Sequence, residues 1–330
     1  MGDWPDSAAW LVRQALPARL LAAAAADSDA MAAVAPNFWV PREAIEAAAD
    51  APQPRTLAEQ VVFALYERSL KADLPADWAG AEWWCQVYKP CRGLPFHFDK
   101  DEALMKATGE MRHPAVSCVV YLNTAEECAA PPLGATLVMQ QRFDAEAGCG
   151  VPEPSRHDVL VWPSAGGVLV FDGALAHGVL DSASTHVRRS MLVNWWRAQP
   201  RGVQRASAEE YAGQHALAPP LPPDALADDS RAERVSIAVC ELRSAQDCAE
   251  GPVPLEEALA RRGCGPTDTC AVALHHPDTV IWQVETADEA EEDGGHEAAF
   301  KPLVAALIPD DMAHADDGSS SSEDGPCDNA

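Results

Sequence analysis

The chain has 330 residues and carries 24 Lys and Arg against 51 Asp and Glu, a formal charge of -27. A field of that sign repels phosphate backbones and anionic lipid surfaces, so neither a nucleic-acid nor a membrane partner is expected. There is no apolar run of about 18 residues that would span a bilayer. The length suffices for a hydrophobic core without structural disulfides, although much of the 48% hydrophobic content is alanine.

The acidic start, Met1-Gly-Asp-Trp-Pro-Asp, lacks the basic segment of a secretory signal. The ten Cys include no CxxC pair; the closest, Cys85/Cys91 and Cys264/Cys270, are irregularly placed. Reduced thiols in an intracellular protein, cytoplasmic or nuclear, are expected.

In chain order, residues 1–82 read as a helical region. Ala8–Ala26 is rich in Ala and Leu, Pro41 stands at a helix N-terminus, and Thr56-Leu-Ala-Glu has the form of a capping box ahead of Gln60–Leu70. From Trp83 the pattern changes to short strand-like runs between Gly/Pro breaks: Trp84–Tyr88, Val116–Leu122, Ala135–Gln140, Val159–Trp162, Gly167–Phe171 and Ser190–Trp196. Such spacing predicts an all-β sandwich or barrel over 83–200. The absence of βαβ alternation and of GxGxxG argues against a Rossmann fold. Residues 201–234 are Pro-rich and polar and read as a linker. Residues 235–284 carry two further strand-like runs, Val235–Leu242 and Thr279–Val284. From Glu285 to residue 330 there are fourteen acids and one Lys, an acidic tail expected to be largely disordered, with Phe300–Ile308 as its one apolar patch.

The chemistry concentrates in Leu94-Pro-Phe-His-Phe-Asp-Lys-Asp-Glu and Val168-Leu-Val-Phe-Asp-Gly-Ala-Leu-Ala-His-Gly-Val. His97 and Asp99 are two apart, so an extended backbone points them to one face. His177 follows a strand and a turn among small residues. Two imidazoles and one carboxylate make the facial triad of non-haem Fe(II) oxygenases, which leaves positions open for co-substrate and oxygen. Arg188-Arg-Ser-Met-Leu-Val-Asn-Trp-Trp follows. An Arg at the start of a buried strand can grip a carboxylate with two parallel hydrogen bonds. Alternation sends one of Arg188 and Arg189 inward and the other outward. His113, His157 and His186 are expected at the surface, and His275-His276 as an incidental pair.

Residues 83–200 resemble the 2-oxoglutarate/Fe(II)-dependent dioxygenase superfamily, and within it the prolyl-4-hydroxylase-like catalytic domains. The resemblance rests on His97-Phe-Asp99, Tyr121-Leu-Asn123, Leu133-Gly-Ala-Thr-Leu (Ala135 in place of the family's second Gly) and Pro163-Ser-Ala-Gly-Gly-Val-Leu-Val-Phe leading to His177. It implies a mainly β fold, a double-stranded β-helix or jelly roll with flanking N-terminal helices. It implies Fe(II) held by His97, Asp99 and His177, with 2-oxoglutarate as co-substrate and ascorbate as a candidate reductant. The expected co-substrate ligands are Arg189, preferred over Arg188 because it lies six residues before Trp195, then Tyr121, Tyr88 and Asn123. For Asn123 a turn-forming role is the competing reading. The implied reaction consumes 2-oxoglutarate and O2, hydroxylates a C–H bond of a peptide residue or small metabolite, and releases succinate and CO2. A jelly-roll metalloprotein that does not use 2-oxoglutarate is the alternative, and it needs neither Arg189 nor Tyr121.

Overall fold

The computed structural model describes residues 9–33, 37–47, 56–129, 133–152, 155, 158–182, 184–205, 217–226 and 230–235, plus the strand backbones 238–242, 269–274, 282–284 and 300–302. The strands are β1 (Ala9–Arg13), β2 (Phe38–Pro41), β3 (Gly80–Tyr88), β4 (Leu94–His97), β5 (Val116–Tyr121), β6 (Thr136–Asp144), β7 (Cys149–Val151), β8 (Asp158–Val161), β9 (Val168–Asp172), β10 (Leu175–Val179), β11 (Arg188–Trp196), β12 (Glu233–Val235), β13 (Ala238–Leu242), β14 (Thr269–Leu274), β15 (Trp282–Val284) and β16 (Phe300–Pro302). The α-helices are α1 (Ala18–Ala33), α2 (Arg42–Ile45), α3 (Leu57–Leu65), α4 (Glu102–Thr108) and α5 (Ala125–Ala129). None of the described helices is long and apolar enough to cross a membrane.

The protein is mostly antiparallel β-sheet. One sheet runs β12-β1-β9-β5-β11-β3-β2; the second runs β13-β14-β8-β6-β10-β4, with β7 paired to β6. Only β13 and β14 pair in parallel among the described strands. Residue alternation explains how the layers stack. On β1, β5 and β9, the residues Trp10, Val12, Cys118, Val120, Val168 and Val170 join a core with α1 and α3. Their neighbours Ala9, Leu11, Val119, Tyr121, Leu169 and Phe171 join a second core with Val138, Val159 and Leu175 of the other sheet. The central strands are thus apolar on both faces because both are covered.

The N-terminal region is not helical throughout. Ala9–Arg13, expected within a helix, forms β1 between β9 and β12. The four buried apolar residues Ala9, Trp10, Leu11 and Val12 suit a doubly covered strand, and the helix begins only at Ala18. The cap at Thr56 forms as expected: its Oγ accepts from Glu59 N–H at 3.1 Å. Part of the Pro-rich stretch after β11 is also pinned. Leu217 is buried, Leu57 N–H donates to Ala218 O at 2.9 Å, and Gln60 exchanges two hydrogen bonds with the Leu221 backbone. Of the acidic tail, β16 pairs with β15; the rest of Phe300–Ile308, like His157, His275 and His276, lies outside the described residues.

Candidate metal centre

The second sheet ends at β4, which among the described strands pairs with β10 alone, and in that pairing His97 stands directly opposite His177. Two residues 80 positions apart thereby become cross-strand partners, with ring centroids 4.5 Å apart. Gly178, beside His177, is required by the close approach of β4: a Cβ there would sit 2.9 Å from Leu94 O.

Asp99 leaves the end of β4 and turns its carboxylate toward both rings. Oδ1 lies 3.5 Å from His97 Nε2, and Oδ2 lies 3.6 Å from His177 Nε2. The three side chains bring one ligand atom each within 4.8 Å of one another, the one such grouping among the described residues. The imidazoles are oriented alike. His97 Nδ1 is 3.0 Å from Pro95 O, and His177 Nδ1 is 3.0 Å from Leu175 O. A carbonyl only accepts, so each Nδ1 carries the proton and each Nε2 lone pair faces the common point, the tautomer a metal requires.

Asp99 is anchored from the first sheet. Its Oδ2 accepts from Asn194 Nδ2 at 3.0 Å and from Ser117 Oγ at 3.4 Å. Burial opposes its ionisation, but the two imidazoles and the Asn194 amide outweigh that and hold it well below the usual carboxylate range. Burial depresses His177, which favours the neutral ligand form. Two nitrogens and one carboxylate, clustered and able to be deprotonated, fit a divalent transition metal such as Fe(II) with open positions.

The triad opens on a cleft of about 360 Å3, mouth included, lined by Trp84, Gln86, Tyr88, Thr136, Arg188 and Leu192 among others. Arg188, not Arg189, enters it. Arg188 is 3% exposed. Its Nε donates to Gly134 O at 3.2 Å, Nη1 to Ser190 Oγ at 3.1 Å, and Nη2 to Thr136 Oγ1 at 2.9 Å. Its guanidinium lies over the rings of Tyr88 and Tyr121, at 5.2 and 5.4 Å. No carboxylate of the described residues pairs with it. Arg189 points to the opposite face and lies near Glu127 and Asp29, at 3.4 and 3.5 Å. The expectation for Arg189 is therefore off by one register position. Met191, Val193 and Trp195 belong to the helix-side core, so Arg188, Ser190, Leu192 and Asn194 face inward.

Tyr88 lines the cleft. Burial pushes its phenol up to about 12, against the opposing pull of Arg188, so it is a donor at neutral pH; in this structure it hydrogen-bonds Gln86. Tyr121 sits fully buried beneath Arg188, its hydroxyl 3.0 Å from Thr136 Oγ1. Asn123 does not line the cleft. It accepts from Arg189 N–H at 2.7 Å and donates to Val187 O at 2.7 Å, which makes it a clamp for the start of β11. Sequence reasoning also missed His113, taken as a surface residue: its Nδ1 is 2.6 Å from Asp99 O. Thr136, Ser190, Asn194 and Ser117 were missed as well. For Ser117 the signal was alternation, since it is a small polar residue on the inward parity of the otherwise apolar β5; on β6 and β11 further polar residues obscured it.

No family model matches the chain, and no curated protein matches it. Among solved structures, a prolyl-4-hydroxylase from Pseudomonas putida is similar at 23% identity over 59% of this chain and 90% of that one, with a TM-score of 0.34. An oxidoreductase of the 2OG-Fe(II) oxygenase family from Burkholderia pseudomallei is similar at 15% identity over 60% and 89%, with a TM-score of 0.32.

Proposed function

We propose that the protein is an Fe(II)- and 2-oxoglutarate-dependent dioxygenase, built on a double-stranded β-helix, that hydroxylates a C–H bond of a substrate. The observation that carries this reading is a buried cation in the same cleft as the triad: Arg188, which no carboxylate of the described residues neutralises. An uncompensated buried charge is costly, and a cavity that keeps one is built for an anionic ligand. A metalloprotein without an acidic co-substrate has no use for it.

His97, Asp99 and His177 would hold the metal, and Arg188 with Thr136 would take the far carboxylate of 2-oxoglutarate. Bound there, Fe(II) with 2-oxoglutarate and O2 supplies the oxidant, and 2-oxoglutarate leaves as succinate and CO2. The chain's own part is to position and to shield. Tyr88 and Tyr121 fix the guanidinium from two sides, and the apolar walls at Trp84, Leu94, Val119, Val179 and Leu192 exclude water from the reacting carbon. The test is succinate formation from 2-oxoglutarate with Fe(II) and ascorbate, followed by a screen for peptides and metabolites that stimulate it. Failure of 2-oxoglutarate to bind the metal-loaded protein would sink the reading.

A further inference from the structure

We propose that Asn194 and Ser117 form a two-donor clamp that decides which oxygen of Asp99 faces the metal, with Asn194 the principal positioning residue. The inference rests on the metal-centre reading above.

Asn194 and Ser117 are directly paired across β11 and β5. The next strand continues the row, with Glu82 of β3 opposite Asn194. Three adjacent strands thus place a polar side chain at the same level, all 2–5% exposed. Burying such groups costs stability unless they are hydrogen-bonded. For Ser117 and Asn194 the partner is one and the same atom, Asp99 Oδ2, at 3.4 and 3.0 Å.

A carboxylate oxygen has about two lone-pair sites. On Oδ2 the amide and the hydroxyl occupy both, and His177 Nε2 stands 3.6 Å away, beyond hydrogen-bond reach. Oδ1 has only His97 Nε2 near it among the described residues. The donors therefore leave Oδ1 as the metal-facing oxygen and hold the carboxylate in a one-oxygen mode. Without them Asp99 is free to offer both oxygens and fill a position that the co-substrate and oxygen need. The amide donates to an ionised group in a dry setting, where such bonds are at their strongest.

The test uses the full chain and Co(II), whose visible absorption reports coordination number without any turnover. Asn194→Leu keeps the branched shape, somewhat enlarged, and removes the donor; Asn194→Ala removes both. Each should weaken Co(II) binding about 10- to 100-fold, the range for partners of metal ligands. Each should also dim and shift the visible bands as the carboxylate adds its second oxygen. Ser117→Ala, with the longer bond, should do the same to a smaller extent. Either Asn194 variant that folds, by circular dichroism, and yet keeps both the wild-type affinity and spectrum for Co(II) overturns the clamp; if both Asn194 variants fail to fold, Ser117→Ala provides the readout, and its unchanged affinity and spectrum would do the same. Co(II) binding that His177→Ala leaves untouched would instead overturn the metal centre itself.

Discussion

Arg188 and Arg189 are consecutive on β11 and serve opposite faces of one sheet. Arg188 reaches Thr136 Oγ1 at 2.9 Å inside the cleft, while Arg189 lies 3.4 Å from Glu127 outside it. The division follows from strand geometry alone, since successive side chains leave a strand in opposite directions. It also separates a residue that lines the cleft from one that meets acids on the other face.

Arg188→Ala should raise the apparent KM for 2-oxoglutarate by roughly 30-fold to several-thousand-fold, the equivalent of about 2–5 kcal/mol for losing one partner of a buried charge pair. Arg189→Ala should leave it nearly unchanged. Arg188→Lys should fall between, because the charge stays and the fork is lost. Titration of 2-oxoglutarate against succinate formation measures all three, and a damaged Arg189→Ala beside an unaffected Arg188→Ala would refute the assignment.

His97→Ala, Asp99→Ala and His177→Ala should each abolish turnover while the fold persists, because the two apolar cores are built from other residues. Metal content after dialysis against Fe(II), with circular dichroism as the folding control, checks this. Wild-type metal content in Asp99→Ala would remove it from the ligand set.

Gly134 offers a steric test of the same cleft. A Cβ at this position would lie 2.1 Å from Leu180 O, and the Gly134 carbonyl accepts from Arg188 Nε. Gly134→Ala should cost about 1–3 kcal/mol through forced backbone displacement, and should weaken 2-oxoglutarate binding as its carbonyl moves away from the guanidinium. Urea denaturation and a binding titration read the two effects separately.

Glu82 gives the protein a pH-dependent stability. Burial is the main cause that pushes its carboxyl up to about 7 from an ordinary value of 4.5; Asp99 and Asp101 add to it, and the Asn37 and Trp196 hydrogen bonds oppose it. The folded state thus holds this proton more tightly than the unfolded state does. The stabilisation is fully present below about pH 4.5 and is lost as the pH rises through about 7. Glu82→Gln, which resembles the protonated form, should be more stable than wild type at pH 8 by on the order of 2–3 kcal/mol, with the gap closing toward pH 4.5. Urea midpoints of the metal-free protein at both pH values decide it; a gap that is constant with pH would place the titration elsewhere.

The strand blocks between Trp83 and Trp196 and the Thr56 cap were legible from the sequence because alternation and capping are local signals. So was the His97, Asp99 and His177 set, since two residues at i and i+2 and a third after a strand and turn need no knowledge of packing. The parity of β11 was not. Trp195 and Trp196 are both buried, so neither anchors the register, and a one-residue slip exchanges the two faces. The uniformly apolar series Met191, Val193, Trp195 against the mixed series Arg188, Ser190, Asn194 was the better guide, because the first suits a core and the second a polar cavity. β1 was hidden for a different reason. Ala9-Trp-Leu-Val is a short apolar run beside an Ala-rich helix, and periodicity alone does not distinguish a doubly buried strand from one more helical turn.

The pairing of His97 with His177 would tie a bound metal to one border of its sheet. Among the described strands β4 is the outermost on that side and pairs with β10 alone, and such edges are where local opening begins. Coordination would rivet this border to β10, so that β4 cannot peel away without surrendering the ion. At a free metal concentration about 100 times Kd, the rivet adds about 2.7 kcal/mol against that opening. Amide exchange at 94–97, and cleavage there by added protease, would then serve as a gauge of metal loading, and depletion of the ion would shorten the lifetime of the folded chain as well as silencing it.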